Sequence, residues 1–244
     1  MLNPSLLTKY ASKFLGYGNW DSPIWFVGIE EAGGESEHEV AHRLQTWSQR
    51  GERQLEDVHE FYAALENRQW QGEKAVLQRT WAGLIRVLLL ARGEIDSYQN
   101  IRKYQREQIG DLCLSELLAL PSPSTDQWKY VGWSELDWLQ SRHACLQATS
   151  PTRIASLKEQ LHTKKPKAVI FYGTTIPEGS LFPYWEMIAG TDFVQGVADE
   201  KLFKWSTNET TAFFVIPHPS RAQTEVLQRI GKCLFENHAA RFRR

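Results

Sequence analysis

Two short clusters in this chain carry side chains suited to chemistry. Gly28-Ile29-Glu30-Glu31 follows an apolar run, and His218-Pro219-Ser220-Arg221 follows another near the chain end. A charged pair beyond a buried strand is costly unless it is solvated, paired or used, which makes Glu30 and Glu31 candidates for binding or proton transfer. His218 stands between Pro217 and Pro219, whose fixed φ stiffens the backbone and would aim the imidazole, although prolines also simply end strands. Gly33-Gly34 reads either as a flexible turn or as a close backbone approach to a ligand.

A third pattern, His38-Glu39-Val40-Ala41-His42, matches the H-E-x-x-H spacing that places two imidazoles on one helical face with a Glu as general base beside zinc. Its neighbours Ser36, Glu37, Arg43 and Gln45 are polar, as on a solvated helix, and His59, Glu60 and Glu66 as third ligands have no distinctive spacing. Zinc hydrolysis is therefore kept as an alternative, and no cofactor or metal is expected.

The elements that must position these groups follow from periodicity. Ile24-Trp25-Phe26-Val27, Ala168 to Tyr172 and Ala212 to Ile216 are continuous β-branched and aromatic runs, expected of strands covered on both faces. Gly110 to Leu118 predicts a further strand ending near the Pro121-Ser122-Pro123-Ser124 loop, and Leu202 to Trp205 an edge strand. Helices are expected over Leu6–Leu15, over Glu35–Gln49 and just after Gly51 as surface helices, and over the face made by Trp81, Leu84, Ile85, Leu88 and Leu89. Ser150-Pro151 reads as the N-cap and first residue of a helix carrying Ile154, Leu157 and Leu161. Phe182–Ala189 and the region of Val226 to Leu234 complete the set, while Gly16 to Pro23 reads as a turn-rich break.

Helices alternating with buried strands imply an α/β fold, a central mostly parallel sheet flanked by helices in three layers. Residues 1–244 contain no repeat and no convincing linker, so one domain is expected. In such a sheet ligands bind outside the carboxyl ends of the strands. Gly28, Ile29, Glu30, Glu31, Gly33, Gly34, Ser122, Gly173, Thr174, His218, Ser220 and Arg221 then share one edge.

Composition narrows the partners. With 28 basic and 29 acidic residues the net charge is -1, so any nucleic-acid contact must be local. No apolar run approaches the ~20 residues that span a bilayer, which argues against a membrane partner. The N-terminus lacks a signal-like pattern and the three cysteines lack paired spacing, so a cytoplasmic location is expected.

The order of strand then Gly-Ile-Glu, central Leu-Pro-Ser-Pro-Ser, Lys-Pro-Lys before a strand ending in Gly, and strand then His-Pro-Ser before a helix resembles the uracil-DNA glycosylase superfamily, from about Ile24 to Leu234. The resemblance implies a four-stranded parallel sheet holding a flipped base at its carboxyl edge. It further implies that Glu30 acts on the attacking water and that His218 hydrogen-bonds the base, with Ser220 and Lys167 or Arg221 near DNA phosphate. The expected activity is hydrolysis of the N-glycosidic bond of a damaged or deaminated base, with DNA or a nucleotide as partner. The adjacent Glu31 and the absence of an apolar wedge after Ser220 keep open a non-catalytic nucleotide- or nucleic-acid-binding module on the same fold.

Overall fold

The computed structural model describes residues 1–67, 69–70, 72–195 and 203–242. Its strands are β1 (Gly16–Gly18), β2 (Ile24–Gly28), β3 (Leu55–Glu56), β4 (Cys113–Glu116), β5 (Ala168–Tyr172), β6 (Thr175–Ile176), β7 (Gly179–Ser180), β8 (Val194–Gln195), β9 (Lys204–Thr207) and β10 (Ala212–Ile216). Its α-helices are α1 (Pro4–Lys13), α2 (Glu37–Gln49), α3 (Val58–Ala64), α4 (Arg79–Ala91), α5 (Tyr98–Glu107), α6 (Arg142–Lys164), α7 (Phe182–Ala189) and α8 (Thr224–Phe242).

Eight strands form one sheet in the order β3-β1-β4-β2-β5-β10-β9-β8, and β6 pairs with β7 as a separate hairpin. The central four, β4-β2-β5-β10, are all parallel; β1 joins β4, and β9 joins β10, in the antiparallel sense. Every residue of β2, β5 and β10 is buried, which is why these strands read as unbroken apolar runs instead of alternating. Helices pack as two groups, α1 with α2 and α6 and α6 with α7, then α4 with α5 and α8, and flank the sheet. No described helix is long and apolar enough to cross a membrane.

Local signals and structure diverge in five places. The Gly16–Gly18 segment, read as a turn, is a short strand whose backbone is claimed by both β4 and β3. The strand expected over Gly110–Leu118 shortens to Cys113–Glu116, because Ile109–Asp111 forms a 3-10 turn. Helices α2 and α3 bury the one apolar face expected of surface helices, through Val40, Leu44 and Trp47 and through Val58, Phe61 and Tyr62, but α2 also buries Arg43, read as part of a solvated face, and Thr46. The helix expected to start at Ser150-Pro151 starts nine residues earlier, at Arg142, with Ser141 as its N-cap accepting from the Ala144 N–H at 3.0 Å and Pro151 in its interior. An interior proline removes one helical hydrogen bond and costs about 3 kcal/mol. The buried face of Arg142, Cys145, Leu146, Arg153, Ile154 and Leu157 offsets that cost. Of the Leu202–Trp205 prediction, Leu202 lies outside the described residues and Trp205 belongs to β9, which has β8 beyond it.

Candidate functional site at the carboxyl edge of the sheet

Because the four central strands are parallel, the residues after β2, β4, β5 and β10 meet at one edge. They surround a cavity of about 520 Å³ whose wall includes Ile29, Glu30, Glu31, Gly33, Ser122, Gly173, His218, Ser220 and Arg221. Gly28, Gly34 and Thr174 are not among the described wall residues; each holds the backbone beside it. The Gly28 carbonyl accepts from the Leu117 N–H at 2.7 Å, and the Thr174 carbonyl from the Leu181 N–H at 2.9 Å. Gly34 turns the chain at φ +68°, where a Cβ would stand 2.4 Å from the Pro121 carbonyl oxygen. Replacing Gly34 with alanine should cost about 1–3 kcal/mol, measured as a lowered urea midpoint, from left-handed strain and displacement of the Pro121 loop. Lys167 precedes β5 and so lies at the opposite, amino edge.

The two glutamates are held differently. Glu30 forms a two-pronged ion pair with Arg142, Oε1 with Nη2 at 2.9 Å and Oε2 with Nε at 3.0 Å, and both side chains are buried. Arg142 also donates to the carbonyls of Ser124 and Gln127 at 3.0 and 2.8 Å, to the carbonyl of Thr125, and to the Ser122 Oγ at 3.0 Å. Ser122 is thus a brace for Arg142 as much as a wall residue. Burial raises the Glu30 carboxyl to about 7 even against the pull of Arg142, so it changes charge near neutrality.

Glu31 accepts from Arg43 Nη1 at 2.8 Å, from the Tyr17 hydroxyl at 2.7 Å and from the Tyr62 hydroxyl. Burial raises both tyrosines well above their ordinary range and keeps them as O–H donors. Arg43 thereby answers the charge that a second carboxylate would otherwise bring to the pocket.

His218 stacks edge-on to Tyr172 with ring centroids 5.5 Å apart. Its Nδ1 lies 3.4 Å from the Ser220 backbone N–H, which can only donate, and 2.9 Å from the Ser220 Oγ. Nδ1 is therefore the acceptor, and the proton of the neutral ring sits on Nε2. Burial, with Arg221 adding to it, lowers the imidazole to about 4, so His218 is a neutral hydrogen-bond donor throughout the physiological range. Arg221 reaches across the cavity mouth to the Thr125 Oγ1 at 3.0 Å.

Several residues at the site had no sequence signal, among them Arg142, which braces Glu30 from behind the wall. Arg142 sits 112 positions from Glu30, and Arg43 was read as part of a solvated helix. Trp70 and Trp81, edge-to-face at 6.4 Å, add aromatic surface beside Tyr62. Glu116 at the end of β4 adds a further carboxyl to the wall, pushed up to about 8 by burial.

The H-E-x-x-H segment has another job. Ser36 caps α2 by accepting from the Glu39 N–H, and the Glu39 carboxylate accepts from the N–H groups of Gly34 and Glu35 at 3.0 and 2.8 Å. This is a variant of the capping box, which uses the same Ser-x-x-Glu spacing. Among the described residues, no three His, Cys, Asp or Glu side chains are gathered for a metal ion.

Raised carboxyls also set a pH dependence. Because Glu30 and Glu116 bind protons more tightly in the folded chain than at the ordinary 4.5, stability falls as pH climbs from that value through about 7 and then about 8. Glu116→Gln should flatten the upper part of this fall, read as melting temperature against pH. An equally steep fall in the variant would count against a raised Glu116.

No family model, curated protein or solved structure matches the chain at a significant level.

Proposed function

We propose that this protein is a divergent uracil-DNA glycosylase-like hydrolase that cleaves the N-glycosidic bond of a damaged or deaminated base. The observation that carries the reading is the pairing, on one cavity, of a carboxyl that ionises near neutrality with a neutral imidazole whose Nε2 bears the proton. The reading is supported by the run of four parallel strands, β4-β2-β5-β10, since a four-stranded parallel sheet is what the resemblance implies. In this reading water attacks C1′ while its proton passes to Glu30. The C1′–N bond breaks, and the base departs with the electron pair. His218 Nε2–H donates to the carbonyl oxygen on which negative charge develops. Ser220 and Arg221 would hold phosphate at the mouth, and extruding the base costs a few kcal/mol that aromatic surface such as Trp81 helps to offset.

A second reading, a non-catalytic nucleotide- or nucleic-acid-binding module, is favoured by the Arg142 clamp, which occupies one lone pair on each Glu30 oxygen. The deciding experiment incubates the protein with single- and double-stranded oligonucleotides carrying uracil or deaminated purines, followed by alkaline cleavage. Abasic-site product above that of a Glu30→Gln/His218→Ala double variant supports hydrolysis. Binding without product supports the module, and neither sinks both.

A further inference from the structure

The cavity is larger than the base that Glu30 and His218 would handle. A base has only about ten non-hydrogen atoms, whereas cavities of roughly 300–1,000 Å³ take ligands of drug size, and this one holds about 520 Å³. Its wall divides by chemistry. One part, at the strand ends, carries Glu30, Glu116, His218 and Arg221. The other comes from the chain between α3 and α4 and from the first turn of α4, where Asn67, Gln69, Trp70, Gln78, Thr80 and Trp81 are all uncharged. Tyr62 joins the two parts, with its hydroxyl on Glu31 and its ring 6.1 Å from that of Trp81.

Trp70 and Trp81 are half-buried and both line the cavity. Their rings meet at 62°, and Tyr62 meets Trp81 at 86°, so among the described residues no ring lies flat on either indole. The polar groups beside them are open as well. Gln78 Oε1 accepts from the Trp81 N–H at 2.6 Å, which leaves its amide N–H groups, and the Asn67 and Gln69 side chains hydrogen-bond to no described residue. Packing alone would account for two half-buried indoles. It does not call for three carboxamides beside them on the same wall, a combination that suits a planar heterocycle and not a phosphate.

We propose that Trp70 and Trp81 form a second subsite, which stacks the base of the nucleotide adjoining the one acted on, so that the cavity takes two consecutive nucleotides of one strand. The proposal rests on the reading of this cavity as a base pocket, not on hydrolysis. Stacking holds any base, since each has a π-face, and a carboxamide can meet either a donor or an acceptor on the base edge. In the same reading Ser220 and Arg221 supply the phosphate contacts, which is why this part of the wall needs no cation.

The test is calorimetric titration of the full chain with dinucleotides that carry 2′-fluorinated deoxyuridine or deoxyinosine, whose electron-withdrawing fluorine opposes positive charge at C1′ and so resists cleavage. The neighbouring nucleotide, placed on either side, is deoxyadenosine or an abasic residue. In one of the two orders the adenine should tighten binding about tenfold over its abasic analogue. Trp70→Leu and Trp81→Leu, which keep apolar bulk without an aromatic face, should each lower that ratio, and the corresponding Phe variants should retain most of it. Each ratio compares two ligands on the same protein, so a general loss of stability or affinity cancels. Equal binding of the adenine and abasic ligands in both orders, an undiminished ratio in both Leu variants, or no binding of any dinucleotide would overturn the proposal. The tenfold ratio without excision of uracil or hypoxanthine from cleavable oligonucleotides would leave the subsite standing and remove only the hydrolase. Excision with equal binding would do the reverse.

Discussion

Arg142→Met lowers the unfolding free energy by about 3–5 kcal/mol, the largest stability effect expected of any single change at the site. The guanidinium is buried, pairs with Glu30 through two bonds and satisfies the carbonyls of Ser124, Thr125 and Gln127. Removing it leaves a buried carboxyl without its counter-charge and takes a donor from each of three carbonyls, of which Ser124 keeps the Gln127 N–H and Gln127 keeps the Ser122 hydroxyl. The physical signature is non-additivity: adding Glu30→Leu to Arg142→Met should recover a large part of the loss, because the desolvated carboxyl goes with it. Urea unfolding of the two single variants and the double variant measures this directly. If the double variant lost the sum of the singles, the ion pair would not be the unit that braces the loops after β2 and β4.

Glu30→Gln should lower excision by about 10²–10⁴-fold and His218→Ala by about 10²–10³-fold, the ranges for losing a general base and a charge-stabilising donor. Their pH behaviour separates the two roles. With the carboxyl raised to about 7, wild-type activity should rise with pH through neutrality as Glu30 becomes the base. His218, lowered to about 4, adds no limb near neutrality. Single-turnover rates across pH 6–8 check this. A flat profile, with both variants folded and active, would leave the Glu30–Arg142 pair as a structural clamp.

The legible part of this molecule is the part made by short-range pattern. β2, β5 and β10 could be read because a strand covered on both faces has no polar alternation, and three such strands joined through helices are constrained to run parallel. From that, together with the strand expected over Gly110–Leu118, Glu30, Ser122, Gly173 and His218 were expected at one edge, where the structure gathers them. Glu39 carries a local signal as the glutamate of the zinc-type spacing His38-Glu39-x-x-His42, whereas its part in capping α2 depends on the backbone N–H groups of Gly34 and Glu35.

What the sequence determined by itself, then, is the α/β pattern and the edge at which chemistry can be placed, since both depend on the order and burial of runs a few residues long. Only tertiary structure decided the partners. Arg142 reaches Glu30 because α6 begins nine residues before Pro151, a local start signal overridden by a buried face whose neighbours are far away in sequence. Arg43, Tyr17 and Tyr62 converge on Glu31 from three elements, and Glu116 meets Tyr172 across the missing Cβ of Gly28. The charge states of Glu30, Glu116 and His218 are set by burial and by partners up to 112 positions apart, which no local pattern encodes.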